Sequence, residues 1–74
     1  MIKMYGKPNC PSCAKAKTLL EQMNIPYEYV DIFANDAALE MIVEQGFKTV
    51  PQFFQDGKSI GTFQDLQEHF LLLG

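Results

Sequence analysis

Two cysteines, Cys10 and Cys13, stand two residues apart in the run Tyr5-Gly6-Lys7-Pro8-Asn9-Cys10-Pro11-Ser12-Cys13, and the chain has no others. Thiols at that spacing can close a small disulfide, and so can take up and release two electrons. Pro11 follows Cys10 directly. Proline suits the first position of a helix, where its missing N–H costs nothing and its φ is already helical. Cys10 is therefore expected at or just before a helix N-terminus. The free N–H groups and the dipole there favour negative charge, and the thiolate is the reactive form of a cysteine. These residues point to redox chemistry at Cys10 and Cys13.

A zinc half-site is the other common use of such a pair. A structural zinc site wants four ligands. Only His69 remains as a further nitrogen or sulfur ligand, so one chain cannot complete the set.

The elements that position the pair are legible on either side of it. Residues 2–5 form a short apolar strand followed by Gly6, and residues 11–23 a helix. Ala14, Leu19, Leu20 and Met23 are spaced for its buried face, with Lys15, Glu21 and Gln22 in water. Lys17 and Glu21, four apart, are set to pair. Asn24 and Pro26 stop the helix. Residues 27–32 (Tyr-Glu-Tyr-Val-Asp-Ile) form a second strand, partly covered on both faces. Asn35 or Asp36 caps a helix over residues 36–45, with Leu39, Ile42 and Val43 as its stripe. Gly46 fits the left-handed position past its end, and Phe47 then meets Ile42. Asp56-Gly57 between two strand-like runs is a hairpin signal. Thr62 caps a last helix, with Asp65 as its capping-box partner and Phe63, Leu66, Phe70 and Leu73 as its apolar face. The order β-α-β, α, β-hairpin, α predicts one four-stranded mixed sheet with three helices on its two faces.

At 74 residues there is room for one domain spanning residues 1–74. A chain this short is marginal unless its core is dense, and 47% hydrophobic residues with six Phe supply that density. A net charge of −3 and the absence of Arg argue against nucleic acid as a partner. No run approaches the roughly 20 apolar residues that span a bilayer, and Met1–Tyr5 is too short for a signal-peptide core. A cytoplasmic protein is the expectation. In that reducing compartment a Cys pair is catalytic or metal-binding more often than structural.

Three motifs in this order resemble glutaredoxins over nearly the whole chain. Tyr5-x-Lys7-x-x-Cys10-Pro11-x-Cys13 is similar to their active-site segment, Thr49-Val50-Pro51 to their Thr-Val-Pro loop, and Ile60-Gly61 with Asp65-Leu66 to their Gly-Gly region. The resemblance implies a thioredoxin-like fold and a dithiol–disulfide oxidoreductase. Its substrates would be protein disulfides and glutathione mixed disulfides. Glutathione would be the cosubstrate, no cofactor would be tightly bound, and ribonucleotide reductase is a possible protein client. A monomer is the default.

The resemblance also implies roles. Cys10 is the nucleophile, and Cys13, more buried, resolves its mixed disulfide and leaves a Cys10–Cys13 disulfide. Pro51 is a cis-proline that turns the Val50 backbone toward Cys10. Tyr5, Lys7, Thr49, Val50, Pro51, Gly61, Thr62, Phe63, Gln64 and Asp65 line the place for glutathione or substrate. Asp65 serves chiefly as a cap. Lys15, Lys17 and Lys48 add to a basic rim or are simply solvated. His69 and Ser12 carry no essential role, and Phe53, Phe54 and Phe70 are core.

Three departures from the family pattern bear on the reductant. Ser12 replaces the usual aromatic, Thr62 the second glycine, and Gln64 the usual Asp. Phe63 followed by a non-acidic residue resembles the glutaredoxin-like redoxins of ribonucleotide reductase, which imply reduction by thioredoxin reductase as one alternative. An iron–sulfur cluster shared across a dimer, or another metal-binding role, is the second, and Pro11 argues against the cluster.

Overall fold

The computed structural model describes residues 1–73, with side chains as far as Phe70. Its elements are β1 (Ile2–Gly6), α1 (Pro11–Gln22), β2 (Tyr27–Asp31), α2 (Asp36–Glu44), β3 (Gln52–Gln55), β4 (Lys58–Gly61) and α3 (Phe63–Leu73). One mixed sheet holds the strands in the order β2-β1-β3-β4. β1 runs parallel to β2, with Met4 opposite Tyr29 and Gly6 opposite Asp31. It runs antiparallel to β3, with Tyr5 opposite Gln52. β3 and β4 form the hairpin, with a bulge at Phe53/Phe54. Asp56 and Gly57 both take positive φ, 50° and 85°, as a two-residue hairpin turn requires.

Period-two alternation divides the core. Ile2, Met4 and Phe53 face α1 and α3, packing with Cys13, Ala16, Leu20 and Leu66. Tyr5 and Phe54 face the other way, against Ile32 and the α2 residues Ala38 and Ile42. The four-stranded sheet flanked by three helices is the predicted architecture.

The helix ends follow their local chemistry. Asn24 sits in the left-handed region (φ 56°). Its N–H donates to the Glu21 carbonyl, and the Ile25 N–H to the Leu20 carbonyl. The same pair of bonds closes α2, from Gly46 to Val43 and from Phe47 to Ile42. Both are Schellman stops, which satisfy carbonyls the helix leaves open. Asn35 is the cap of α2, its side chain accepting from the Ala38 N–H at 3.1 Å.

The helix faces match the expected ones in part. α1 buries Cys13, Ala16 and Leu20, with Leu19 half-buried, while Ala14 and Met23 are exposed. Leu19 and Leu20 lie on the inner face as expected, while Cys13 and Ala16 take the places expected for Ala14 and Met23, because Cys13 itself is core. On α2 the buried residues are Ala38 and Ile42, and Val43 is 64% exposed. Lys17 and Glu21 make no ion pair among the described residues. Lys17 instead lies over the Tyr29 ring, and Glu21 accepts from the Tyr27 hydroxyl. β2 draws both side chains away from each other. The expected contribution of the Leu73 side chain lies outside the described residues.

Candidate active site

α1 begins where β1 ends, and the turn between them carries the thiols. Asn9 takes a left-handed φ of 58°, which asparagine tolerates better than most residues. Cys10 is the N-cap of α1, with extended backbone and Pro11 directly after it. Its sulfur accepts from the Cys13 N–H at 3.2 Å. A thiol thus does the work usually left to Ser or Asp, holding one of the open donors at the helix start. Across the cleft the Cys10 sulfur lies 4.0 Å from the Val50 carbonyl oxygen. Cys10 is half-buried, Cys13 is buried, and both are free thiols.

The environments of the two thiols differ. Burial pushes the Cys13 thiol up to about 11, helped by its hydrogen bond with Cys10; the Lys7 backbone and the Lys17 ammonium pull the other way. Desolvation disfavours the charged form, and here it outweighs the nearby positive charge. Cys13 is therefore held as a protonated thiol behind the more exposed sulfur.

Tyr29 forms a wall that the sequence did not single out. A Cβ built at Gly6 would fall 2.9 Å from the Cys13 sulfur and 2.9 Å from Tyr29 Cε1. Gly6 is therefore the gap into which both side chains fit. Lys17 Nζ stands 3.7 Å from the Tyr29 ring centroid, a cation–π contact. Burial raises the Tyr29 phenol, and charge at Asp31, Cys13 and Cys10 adds to that. Lys7, Cys10, Cys13, Ala14, Lys17 and Tyr29 line one hollow of about 440 Å³. The period-two placement of Tyr27 and Tyr29 on the α1 face of β2 was the available signal.

The Thr49-Val50-Pro51 loop forms the opposite wall. The Val50–Pro51 bond is cis, and Pro51 is buried while Thr49 is exposed. Gln52, only 3% exposed, ties the loop down: its Nε2 donates to the Thr49 carbonyl at 2.9 Å. Its Oε1 is buried without a partner among the described residues. Sequence reasoning missed Gln52, since a glutamine in a strand reads as solvated.

At the start of α3, the Asp65 carboxylate accepts from the Thr62 N–H at 2.9 Å and from the Thr62 hydroxyl at 3.0 Å. This is the return half of the expected capping box, in which the acidic side chain reaches back to the N–H of the cap residue; the Thr62 hydroxyl bonds to the same carboxylate instead of to the Asp65 N–H. Gly61, at φ 118°, passes so close to that carboxylate that a side chain there would collide with it. Phe63 packs on the same cluster as Cys10 and Val50, and Gln64 is exposed. Tyr5 lies on the other face of the sheet from Phe63 and Cys10, against the cluster that Val50 also meets. It points to the α2 face, meets Phe54 edge-on at 5.4 Å, and lines a different hollow with Lys3 and Met41. Its placement is that of a packing residue. His69 stacks edge-on against Phe70, in a hollow formed with β4. Ser12 is exposed.

Among the described residues, no three His, Cys, Asp or Glu side chains are grouped to hold a metal ion. No described helix is long and apolar enough to cross a membrane.

A half-buried thiol at a helix start with a buried thiol one turn on is an arrangement that suits thiol–disulfide exchange. The comparisons with known proteins agree. Hybrid peroxiredoxin hyPrx5 of Haemophilus influenzae is 41% identical over 70 residues, covering 93% of this chain but only 29% of that protein. Glutaredoxin 1 of Salmonella typhimurium is 39% identical over 72 residues, covering 86% of this chain and 83% of that one. Among solved structures, a point mutant of the thioredoxin-like protein BC3987 superposes with TM-score 0.82 at 28% identity, over the full length of both chains. Buckwheat glutaredoxin in complex with glutathione matches at TM-score 0.81 and 24% identity, over 95% of this chain and 67% of that one. NrdH-redoxin of Escherichia coli, described as glutaredoxin-like, matches at 0.82 and 23%, over 95% and 92%. The last two speak to the fold alone. The Glutaredoxin family model matches residues 2–60, from the first strand through both thiols and the cis-proline loop to β4, and the chain belongs to the glutaredoxin family of thiol–disulfide oxidoreductases.

Proposed function

We propose that this chain is a single-domain, glutathione-dependent dithiol oxidoreductase that reduces protein disulfides and glutathione mixed disulfides in the cytoplasm, working as a monomer without a tightly bound cofactor. The observation that carries the reading is the contrast between the thiols: Cys10 half-exposed at the N-cap and facing Val50, Cys13 buried behind it. The Cys10 thiolate attacks one sulfur of the substrate disulfide. That S–S bond breaks, one substrate thiol leaves with a proton, and a Cys10–substrate disulfide remains. Cys13 then gives up its proton and attacks Cys10 Sγ. The second substrate thiol leaves protonated, and the protein holds a Cys10–Cys13 disulfide, two electrons poorer. One glutathione opens that disulfide by forming a Cys10–glutathione bond. A second attacks the glutathione sulfur, releasing oxidised glutathione and the dithiol.

Lys7 borders the hollows on both sides of the thiols, suited to a carboxylate of glutathione or a client. The Val50 backbone would pair with an extended peptide, and Thr49, Gly61, Thr62, Phe63, Gln64 and Asp65 would border the bound chain. Ribonucleotide reductase is a client consistent with the family.

A second reading, reduction by thioredoxin reductase, is favoured by one observation. The one acidic group in the first turn of α3 is engaged by Thr62, and Gln64 beside it is neutral. Oxidised protein offered glutathione, or thioredoxin reductase with NADPH, decides between them. Faster thiol recovery with glutathione supports the main reading, and recovery only with thioredoxin reductase supports the second. A cluster-binding module would show a visible absorption band and bound iron in freshly purified protein.

A further inference from the structure

The hollow on the Tyr29 side of the thiols holds a cation, Lys17, that the exchange between the two cysteines leaves unused. Lys17 lies four residues after Cys13 on α1, and side chains at that spacing share one face of a helix. Its Nζ stands 3.7 Å from the centroid of the Tyr29 ring. That ring and the Cys13 sulfur meet at Gly6, each 2.9 Å from the point where a Cβ would stand. Ammonium, ring and buried thiol thus form a row from the hollow into the core. Among the described residues the ion pairs are Met1 with Asp56 and Lys3 with Glu28, so among them the charge of Lys17 is not neutralised. Glu21, one turn further along α1, accepts from the Tyr27 hydroxyl.

The other sides of Cys13 are apolar. From β1, β3 and α3 its cluster holds Met4, Phe53 and Leu66. The groups that act on its ionisation are Cys10, the Lys7 backbone and Lys17. Tyr29 stands beside it, with Asp31 acting in turn on Tyr29. Lys17 is the one ammonium in that set.

Resting on the oxidoreductase reading above, we infer that Lys17, seated on the Tyr29 ring, is a positioning residue for the resolving step: its ammonium stabilises the thiolate that Cys13 must become to attack Cys10. In the mixed disulfide Cys10 is bound to the client and carries no charge. Cys13 releases its proton to solvent and forms a bond to Cys10 Sγ. The Cys10–client bond breaks, and the client sulfur leaves with the electron pair and takes up a proton. Negative charge on the buried sulfur is needed in this step alone. Burial opposes it and the Lys17 ammonium favours it, as an opposite charge favours any ionised form. Tyr29 contributes the face of its ring, which holds the ammonium in place, and its hydroxyl takes no part.

The two steps separate when fully reduced protein is mixed with the neutral disulfide 4,4′-dithiodipyridine in a stopped-flow spectrophotometer. One thiopyridone is released as Cys10 attacks. A second is released as Cys13 resolves, at a rate independent of probe concentration. Lys17→Met is expected to slow the second phase relative to the first by about threefold at neutral pH. Loss of one neighbouring charge lowers the thiolate fraction about tenfold at the low end, and the greater nucleophilicity of a less acidic thiol offsets part of that. The pH profile of the second phase should move to higher pH, and Lys17→Arg should restore both ratio and profile. Tyr29→Leu should slow the second phase, and Tyr29→Phe, which keeps the ring, should not.

A Lys17→Met protein that keeps the wild-type ratio and pH profile would overturn the inference. So would equal slowing of both phases, failure of Lys17→Arg to restore the ratio, or a Tyr29→Phe protein as slow as Tyr29→Leu. Absence of the first phase in the wild type would instead overturn the oxidoreductase reading.

Discussion

Replacing Gly6 with alanine tests whether the gap beside Cys13 is needed. Gly6 is not among the glycines with positive φ, so alanine meets no backbone conflict there. On that ground alone, Gly→Ala would stabilise by about 0.4–1 kcal/mol, by restricting the unfolded chain. The packing effect has the opposite sign. The new Cβ falls 2.9 Å from both the Cys13 sulfur and Tyr29 Cε1. Ordinary contacts begin near 3.5 Å, so each neighbour must retreat by at least about 0.6 Å. Cys13 is 3% exposed on a helix that buries Ala16 and Leu20 behind it, so the thiol has nowhere to go without moving α1. Overpacking of this kind costs about 1–3 kcal/mol. The clash outweighs the entropy gain, and a net loss of about 1 kcal/mol is expected. For so small a chain, with a urea m-value near the low end of about 1–3 kcal/mol/M, the midpoint drops by roughly 1 M at unchanged m. Displacement of Cys13 relative to Cys10 should also slow release of a trapped mixed disulfide, measured by quenched single-turnover reaction. A Gly6→Ala variant as stable as the parent, resolving mixed disulfides at the parental rate, would refute the argument: Tyr29 and Cys13 would then have room that the geometry denies them.

Cys10→Ser is expected to abolish all exchange, while Cys13→Ser retains turnover of glutathione mixed disulfides, read in a deglutathionylation assay; the reverse pattern would interchange the two roles. The Cys13 thiol is pushed up to about 11 from about 8.5 in an unfolded chain. The folded state therefore keeps a proton that the unfolded state loses, and stability of the dithiol form, full below about pH 8.5, should fall as pH rises toward 11. Cys13→Ala should flatten that slope in urea melts at stepped pH. Lys17→Met removes the cation over Tyr29 and should cost no more than about 1 kcal/mol of stability. In a Cys10→Ser background it should raise the pH at which Cys13 becomes alkylated, and an unmoved pH profile would show that Lys17 does not act on the thiol. Gln52→Leu loses one hydrogen bond of about 1 kcal/mol but also an unpaired buried oxygen that costs about 1–3 kcal/mol. Stability should hold or rise while KM for a disulfide substrate increases, and unchanged KM would remove Gln52 from the support of the loop.

What the sequence disclosed and what it withheld divide along physical lines. Features set by local backbone chemistry were legible: the Pro11 helix start, the stops at Asn24 and Gly46, the Asp56-Gly57 turn and the Thr62–Asp65 cap. Each depends on residues within one turn of one another. Features set by contact between distant segments were not. On α1 the pattern finds Leu19 and Leu20 but picks Ala14 and Met23 over Cys13 and Ala16, because Cys13, which reads as chemistry, is also a core residue beside Met4 and Phe53. Val43 reads as core from its place in the α2 stripe, but that stripe is wider than the sheet covers and Val43 is exposed. Lys17 and Glu21 were paired by their spacing, but two tyrosines of β2, invisible to any helical pattern, compete for them. Gln52 and Tyr29 come to the site only through strand register.

The spacing of the two cysteines follows from the geometry of a helix start. An N-cap side chain is placed to accept from the N–H two or three residues on, which is why the Cys10 sulfur meets the Cys13 N–H. The N-cap residue is still outside the helix and can stay at the surface. The residue three further on is inside the first turn, where one side of the helix must face the sheet. One thiol is thereby open to a substrate and the other buried, and they remain within one turn of each other. The two positions between are constrained differently. Pro11 occupies the first helical position, where a missing N–H is harmless. Ser12 points to solvent and is answerable to no packing. A family that usually places an aromatic there can therefore place serine there without disturbing the fold, and the consequence falls on whatever approaches Cys10.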